Sequence, residues 1–373
     1  MMTSEPDDID YAVDRWMKRN DGCDDIEGKV SGYRSYIGKK YLFIIACILA
    51  ALFLAGYDLT VGPYDISIWE TYEVIWKHIT GQEVAYNDDL VIWTMRLPRI
   101  MTGLIAGFGL AIAGVVMQTI LRNPLADPYT TGVSSGASFG ASLAIGFGIS
   151  VAGAGGYGIV FNAFLFSLIP MAVIMFVSKM RGASPATMVM AGIAVMYIFN
   201  AMTTIIKLWV DADTLANIFA WTVGTLDVGN WNNIGVMFVF TFISGIVLMT
   251  MSRKLNVLST GDETARSMGI NAKQLRLISL FIVSMLTAGI VSFTGLIGFV
   301  GLVCPHIARM FVGSDVKYLL PASGFFGCAL LLLADIVGRS IFEGSALQVG
   351  VITAFIGGPM FLWLIIRQKK ESW

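Results

Sequence analysis

The sequence predicts an all-α membrane protein that crosses the bilayer ten times. Hydrophobic residues make up 56% of the chain and charged residues 14%, well below the roughly one quarter that is charged in soluble domains. Between the clustered charges lie uncharged tracts of about 20 residues, the length that one helix needs to span a membrane. The sequence lacks the alternating pattern of a β-barrel. The predicted spans are 41–57, 100–121, 131–152, 157–178, 186–206, 232–252, 277–293, 295–311, 318–338 and 346–366.

The seventh and eighth spans come from one charge-free run, from Leu277 to Ala308. The run is too long for a single helix, and glycines at 295, 298 and 301 interrupt it. Glycine allows close approach of helix backbones in lipid, where no hydrophobic force drives helices together. The run therefore predicts two closely packed spans joined by a tight re-entry.

The distribution of Lys and Arg predicts that both termini are cytoplasmic. With ten spans, twenty of the 25 basic residues fall on the side of the termini, as expected for cytoplasmic loops. The opposite face keeps Lys77, Arg96, Arg99, Lys207 and Arg339. Losing one span would invert every later loop, so the asymmetry also supports the count of ten.

Two domains are expected, a cytosolic tail over residues 1–40 and a transmembrane domain over 41–373. The tail is polar, has no signal-peptide pattern, and has a predicted short helix around Tyr11–Lys18. Lys39 and Lys40 flank the first span on its cytoplasmic side.

Catalytic and cofactor-binding motifs are missing from the sequence. No G-x-x-x-x-G-K-[ST] loop occurs, so the chain is not expected to hydrolyse ATP by itself. The cysteines at 23, 47, 304 and 328 have no paired spacing, and only two histidines, His78 and His306, accompany them. We therefore expect no catalytic residue, cofactor, metal site or nucleic-acid partner, and the sequence gives almost no support to a membrane enzyme.

Of two intramembrane acids, only Asp335 is a serious candidate for ion coupling. Asp127 precedes Pro128 in a turn, where an aspartate normally caps or turns the chain. Asp335 lies four residues before Arg339, so the two side chains share a helix face and can pair. The favoured interpretation is an ion pair near the outer helix end. The alternative is a secondary transporter driven through Asp335.

Five blocks of sequence, in order, resemble the FecCD family, the permease subunits of type II ABC importers for iron–siderophore, haem and cobalamin complexes. They are RLPR at 96–99, GLAIAGVVMQTILRNPLADPYTTGVSSGAS at 109–138, STGDETARSMGI at 259–270, GLIGFVGLVCPHIARM at 295–310 continuing into LLPASGFFGCALLLLADIVGR at 319–339, and GVITAFIGGPMFLWLI at 350–365. The resemblance covers roughly residues 41–368. It implies a ten-helix subunit that forms a homodimer in the lipid of a prokaryotic cytoplasmic membrane, with two copies of a separate ATPase and an extracytoplasmic binding protein.

The resemblance also implies two sites. The residues of the charged loop from Arg253 to Arg276 predict a short helix with Thr260 as its N-cap and with Ala265 and Met268 on a small apolar face. The resemblance implies that this helix contacts the ATPase, and the alternative is an ordinary solvated loop helix. The predicted coupling residues are Gly261, Asp262, Glu263, Thr264, Ala265, Arg266, Met268 and Gly269. Arg96, Arg99 and Arg339 would dock the binding protein by pairing with its glutamates, because a guanidinium binds a carboxylate bidentately. Interfacial anchoring is the alternative for these arginines.

The resemblance predicts the substrate class only in outline. An iron(III)–siderophore complex is the first choice, with cobalamin, haem and oxyanions such as molybdate as alternatives. The chain lacks the Glu-x-Pro-x-Gly string that relatives carry before the last span and reads Phe342-Glu343-Gly344-Ser345-Ala346 instead. The geometry of that outer loop is therefore not predicted.

Overall fold

The computed structural model describes residues 23–62, 64, 66–151, 157–341 and 347–367. All regular secondary structure within these residues is helical. Ten of the helices correspond to the predicted spans, which confirms the predicted fold class. They are α1 (Cys23–Asp58), α3 (Tyr86–Leu121), α4 (Val133–Phe147), α5 (Gly158–Arg181), α6 (Pro185–Trp209), α8 (Trp231–Thr260), α10 (Ala272–Thr294), α11 (Val300–Val312), α12 (Val316–Ser340) and α13 (Val349–Arg367).

Three further helices lie outside the spans: α2 (Ile68–Thr80), α7 (Ala212–Val223) and α9 (Asp262–Ser267). Side-chain caps fix several helix starts, since the first backbone N–H groups have no intrahelical partner. Ser67 and Glu70 form a reciprocal capping box at the start of α2. Ser184, Asn230 and Asn271 cap α6, α8 and α10 with their side chains.

The predicted boundary at residue 40 falls inside α1, which begins at Cys23 and continues into the first span. The predicted helix at Tyr11–Lys18 and the divergent stretch at 342–346 lie outside the described residues. The second span also begins earlier than expected, because α3 runs upstream from Pro98 to Tyr86 through a wide π-helical turn over Leu90–Arg96. Single π turns occur as irregularities within α-helices. Pro98, which has no backbone N–H to donate, lies just beyond this one.

Helix α3 is the centre of the bundle. Most residues of its stretch Leu97–Leu121 are buried, and it packs against α8, α10, α11 and α12. Two glycine pairs set the close approaches: a Cβ on Gly114 would collide with the carbonyl oxygen of Gly301 in α11, and a Cβ on Gly327 in α12 would collide with that of Gly107. Small residues at such crossings allow backbone contact in lipid.

The prediction that the seventh and eighth spans pack closely on each other is wrong. Helix α11 packs against α3 and α12 rather than α10, and Gly301 meets Gly114 of α3. A Cβ on Gly298 would meet no atom within 4 Å. Gly301 is a packing residue, as predicted, but Gly298 is not, and the sequence could not identify the partner helix of Gly301.

Two spans are shorter than expected because irregular backbone reaches into the protein. Helices α4 and α11 have 15 and 13 residues, about 20–23 Å at the helical rise, against a hydrocarbon core of about 30 Å. A 3₁₀ turn at Pro128–Thr131 precedes α4. The Tyr129 hydroxyl donates to the Ile297 carbonyl at 2.8 Å and accepts from the Ile297 N–H at 3.0 Å. Non-helical backbone at this depth is tolerated when protein buries it.

Candidate functional site

The predicted coupling helix α9 is held to the rest of the chain by its first residue. Asp262 accepts a hydrogen bond from Arg122 Nη2 at 2.8 Å and from Arg276 Nη2 at 2.8 Å. Arg122 follows α3 and Arg276 belongs to α10. We call these three residues the Asp262 cluster. It ties a six-residue helix to the cytoplasmic ends, in the predicted topology, of two spans.

Arg276 is the buried member of the Asp262 cluster, with 1% of its surface exposed. Its guanidinium also donates from Nε to the Ile120 carbonyl at 2.8 Å and from Nη1 to the Ala183 carbonyl at 2.6 Å. One side chain therefore joins α9 to the end of α3 and to the residues before α6. Arginine suits this position because its fixed fork of donors serves several acceptors.

The Arg276 hydrogen bond is the main cause that lowers the pKa of Asp262 below its ordinary value, and the charges of Arg276, Arg122 and Arg266 lower it further. A lowered folded-state pKa means that the stabilisation is present above the unfolded value and lost as pH falls through the folded one. Asp262 therefore stays ionised throughout the neutral range.

The remaining residues of α9, and those of the turn that follows it, divide between an inner and an outer side. Ala265 is completely buried against the protein, whereas Glu263, Thr264, Arg266 and Gly269 are exposed and Met268 is 62% exposed. The expectation that Ala265 and Met268 share one apolar face is wrong, because Ala265 seats the helix. Gly261 and Gly269 adopt positive φ angles at its two ends, and the Ile270 N–H donates to the Ala265 carbonyl at 2.8 Å.

Thr260 is not the N-cap of this helix. It is the last residue of α8, its hydroxyl donates to the Val257 carbonyl at 2.8 Å, and Gly261 takes the N-cap position. Helix α8 continues eight residues beyond the predicted end of the sixth span at 252, so the threonine remains helical and its hydroxyl bonds backwards within its own turn.

At the opposite end of the bundle, the predicted docking arginines are engaged within the chain. Arg99 makes a bidentate pair with Asp335, with Nη2 to Oδ1 at 2.8 Å and Nε to Oδ2 at 3.0 Å. Arg339 Nε lies 3.0 Å from Asp335 Oδ2, and its Nη2 pairs with Asp58. These four residues form what we call the outer ion network. It joins α1, α3 and α12, and its two positive and two negative charges balance.

The pair between Asp335 and Arg339 confirms the interpretation favoured from their spacing. Both aspartates are fully buried and both arginines are partly buried. A buried carboxylate requires a paired charge, and Asp335 has two. Arg96 contacts the loop that follows α1. Its Nη1 donates to the Leu59 carbonyl and its Nη2 to the Tyr64 carbonyl, both at 2.6 Å, which fixes the loop after α1.

Sequence reasoning missed Asp58, Arg122 and Arg276 as members of these sites. The sequence predicts only a cytoplasmic position for Arg122 and Arg276, and no role for Asp58. Nothing in their spacing signals pairing, because 140 residues separate Arg122 from Asp262. The one local sign that could have predicted a partner for Asp58 is its position as a charged residue at the end of an apolar span.

The model of the FecCD transport family matches residues 44–367 of this chain. The chain belongs to the FecCD transport family. Among its relatives, a Methanocaldococcus jannaschii protein named as an ABC transporter permease is 41% identical over 350 residues, which cover 91% of this chain and 98% of the relative.

Two further relatives of this FecCD permease are named by what they import. The Fe(3+)-citrate import system permease protein YfmD of Bacillus subtilis is 34% identical and covers 91% of this chain and 98% of its own length. The molybdate import system permease protein MolB of Haemophilus influenzae is 33% identical and covers 89% and 96%. A solved structure of a metal-chelate type ABC transporter in an inward-facing conformation matches with TM-score 0.77 and 31% identity, and covers 87% of this chain and 98% of that one.

This FecCD protein is therefore an ABC transporter permease with several membrane spans, and membership of the family implies an ATPase as its partner. It is not itself an enzyme. An ion-coupled secondary transporter would need an intramembrane acid, and the candidate, Asp335, is paired with two arginines in this chain.

Proposed function

We propose that this permease carries an iron(III)–siderophore complex inward across the cytoplasmic membrane. It acts as one half of a homodimer, driven by two ATPase subunits and supplied by an extracytoplasmic binding protein. The supporting observation is the Asp262 cluster, which fixes a short helix on the predicted cytoplasmic side and leaves its other face uncovered. Both termini lie in the cytoplasm in this arrangement.

The exposed face of α9 is the proposed contact with the ATPase. Glu263 and Met268 point away from the chain, while Asp262 and Ala265 hold the helix from the inside. A displacement of α9 would therefore reach α3 and α10 directly through Arg122 and Arg276. Rigid attachment of this kind is what a coupling element needs, because a loosely tethered helix would move without moving the spans.

The outer ion network marks the proposed end for docking of the binding protein. The arginine donors already have internal partners, so a carboxylate of the binding protein would have to share or replace Asp335 or Asp58. This exchange would link docking to the relative positions of α1, α3 and α12. Interfacial anchoring, the alternative for Arg96, Arg99 and Arg339, would leave those internal pairs intact.

Similar proteins favour the iron chelate over the other substrates. This chain matches nearly the whole length of a relative named for Fe(3+)-citrate import and of a solved metal-chelate type transporter. Molybdate remains an alternative because of the relative named for its import, and cobalamin and haem remain as other bulky chelates.

The function is tested by reconstitution. The purified permease alone in liposomes should neither hydrolyse ATP nor import any substrate. Addition of its ATPase and its binding protein should give ATP-dependent uptake of an iron-loaded siderophore in competition with cobalamin, haem and molybdate. ATP hydrolysis by the permease alone, or uptake without ATP that an uncoupler abolishes, would contradict the assignment. Preference for another cargo would overturn only the choice of substrate.

The contact on α9 predicts a loss of coupling when its exposed charge is reversed. Glu263→Lys should reduce co-purification of the ATPase and ATP-driven uptake, while the melting temperature of the permease stays near that of the wild type, because an exposed substitution usually changes stability by no more than about 0.5 kcal/mol. Glu83→Lys is the matched control, since Glu83 is also exposed and lies on the predicted outer side. Unchanged co-purification and uptake in the Glu263 variant would place the ATPase contact elsewhere.

A further inference from the structure

Helix α2 has an exposed apolar face that the transport mechanism does not use. Trp69 is 84% exposed and Trp76 is 65% exposed. Tyr72 and Ile79 are also exposed, and with the two tryptophans they recur at the spacing i, i+3, i+7 and i+10. Residues at this spacing lie on one side of an α-helix.

The other two faces of α2 have clear assignments. Thr71 and Val74 are buried, and Ile75 packs against a cluster of Leu59, which follows α1, Ile100 of α3 and Leu332 of α12. The remaining face carries the charges of α2: Glu70, Glu73 and Lys77, with Lys77 Nζ 2.6 Å from Glu73. We call the exposed apolar face formed by Trp69, Tyr72, Trp76 and Ile79 the aromatic face. It therefore lies between a face packed on the protein and a charged face.

The position of α2 indicates what covers the aromatic face. The hydroxyl of Tyr72 lies at Gly56, where a Cβ would come within 2.8 Å of it, and Gly56 belongs to the membrane-spanning part of α1, Tyr36–Asp58. The neighbouring α1 side chains Leu52, Phe53 and Tyr57 are exposed. The aromatic face of α2 thus continues the lipid-facing surface of a span at the level where that span ends.

We propose that α2 lies flat in the outer membrane interface, with Trp69, Tyr72, Trp76 and Ile79 inserted among the lipids. Trp and Tyr concentrate at the headgroup level because their rings are amphipathic. A helix with one apolar and one charged face lies in the plane of the interface with its apolar side inward. Glu70, Glu73 and Lys77 then face the water. The helix fixes the depth of the outer ends of α1 and α3, beside the outer ion network.

The test measures the depth of spin labels on the full-length permease in phospholipid nanodiscs. Labels are placed singly by Trp69→Cys, Trp76→Cys and Glu73→Cys, with the native cysteines at 23, 47, 304 and 328 replaced. Collisions with oxygen should exceed collisions with a water-soluble nickel chelate at positions 69 and 76. The order should reverse at Glu73, which is the matched control on the charged face of the same helix.

Two other results would overturn the proposal. If positions 69 and 76 are open to the nickel chelate in nanodiscs and become protected when the binding protein is added, the face is a protein-docking surface. Protection from both probes with spin–spin broadening would make it a contact between two copies.

A second measurement avoids the cysteine replacements: lipids brominated near the headgroup should quench the wild-type tryptophan fluorescence more strongly than that of Trp69→Phe/Trp76→Phe. Equal quenching of the two proteins would also contradict the proposal.

Discussion

Replacement of Arg276 with methionine should detach α9 and abolish ATP-driven uptake. Methionine keeps much of the aliphatic volume but removes every donor that Arg276 gives to Asp262 and to the carbonyls of Ile120 and Ala183. Unsatisfied buried acceptors cost about 1–3 kcal/mol each, and Asp262 keeps Arg122 and some water. We therefore expect the free energy of unfolding to fall by about 3 kcal/mol.

The measurement is unfolding in mixed micelles together with uptake in proteoliposomes. Arg266→Met is the stability control, because Arg266 lies on the exposed side of the same helix and its loss should change stability by no more than about 0.5 kcal/mol. If Arg276→Met unfolds like the wild type, the Asp262 cluster does not hold α9. If it is destabilised but uptake per folded protein is unchanged, α9 does not couple the ATPase to the spans.

Substitution of Asp335 by leucine should destabilise the permease by about 3–5 kcal/mol, the usual effect of removing one partner from a buried ion pair. Arg99 and Arg339 would remain close together at the outer end with Asp58 as the remaining carboxylate of the network. The excess positive charge, rather than the lost packing, should dominate the effect. Thermal and denaturant unfolding of the reconstituted protein would measure it.

The double variant Arg99→Met/Asp335→Leu separates charge from packing. It leaves Arg339 paired with Asp58, so the network is again balanced, and hydrophobic replacement of a whole buried pair is often neutral. We expect the double variant to be more stable than Asp335→Leu alone, with the difference measured as a coupling energy in a double-mutant cycle. A double variant less stable than the single one would show that packing, and not charge balance, explains the effect of Asp335.

Local signals were sufficient where the physics is local. The pair between Asp335 and Arg339 followed from their spacing of four residues on one helix. Arg99 pairs with the same carboxylate from 236 residues away, and no pattern in the sequence indicated it. The same contrast separates Gly301, read correctly as a packing residue, from Gly114, its partner in α3.

The errors at α9 have a similar origin. Thr260 looks like a cap because threonine caps helices and acids follow it, but the preceding helix extends to that residue and takes the hydroxyl into its own turn. Ala265 looks like part of an exposed face because the helix is short and charged. Only the packing of α9 onto the protein shows that Ala265 is buried.

The sequence by itself predicted the ten apolar helices and indicated the family, and from the spans it predicted the orientation. In lipid every backbone group must be bonded within its own segment, so a long apolar tract has to form a helix wherever it lies in the chain. The tertiary structure alone decided which helices meet, which arginines are buried in pairs, and which face of α9 or α2 is left uncovered. Those outcomes depend on the contact of segments far apart in the sequence, and neither composition nor periodicity contains that information.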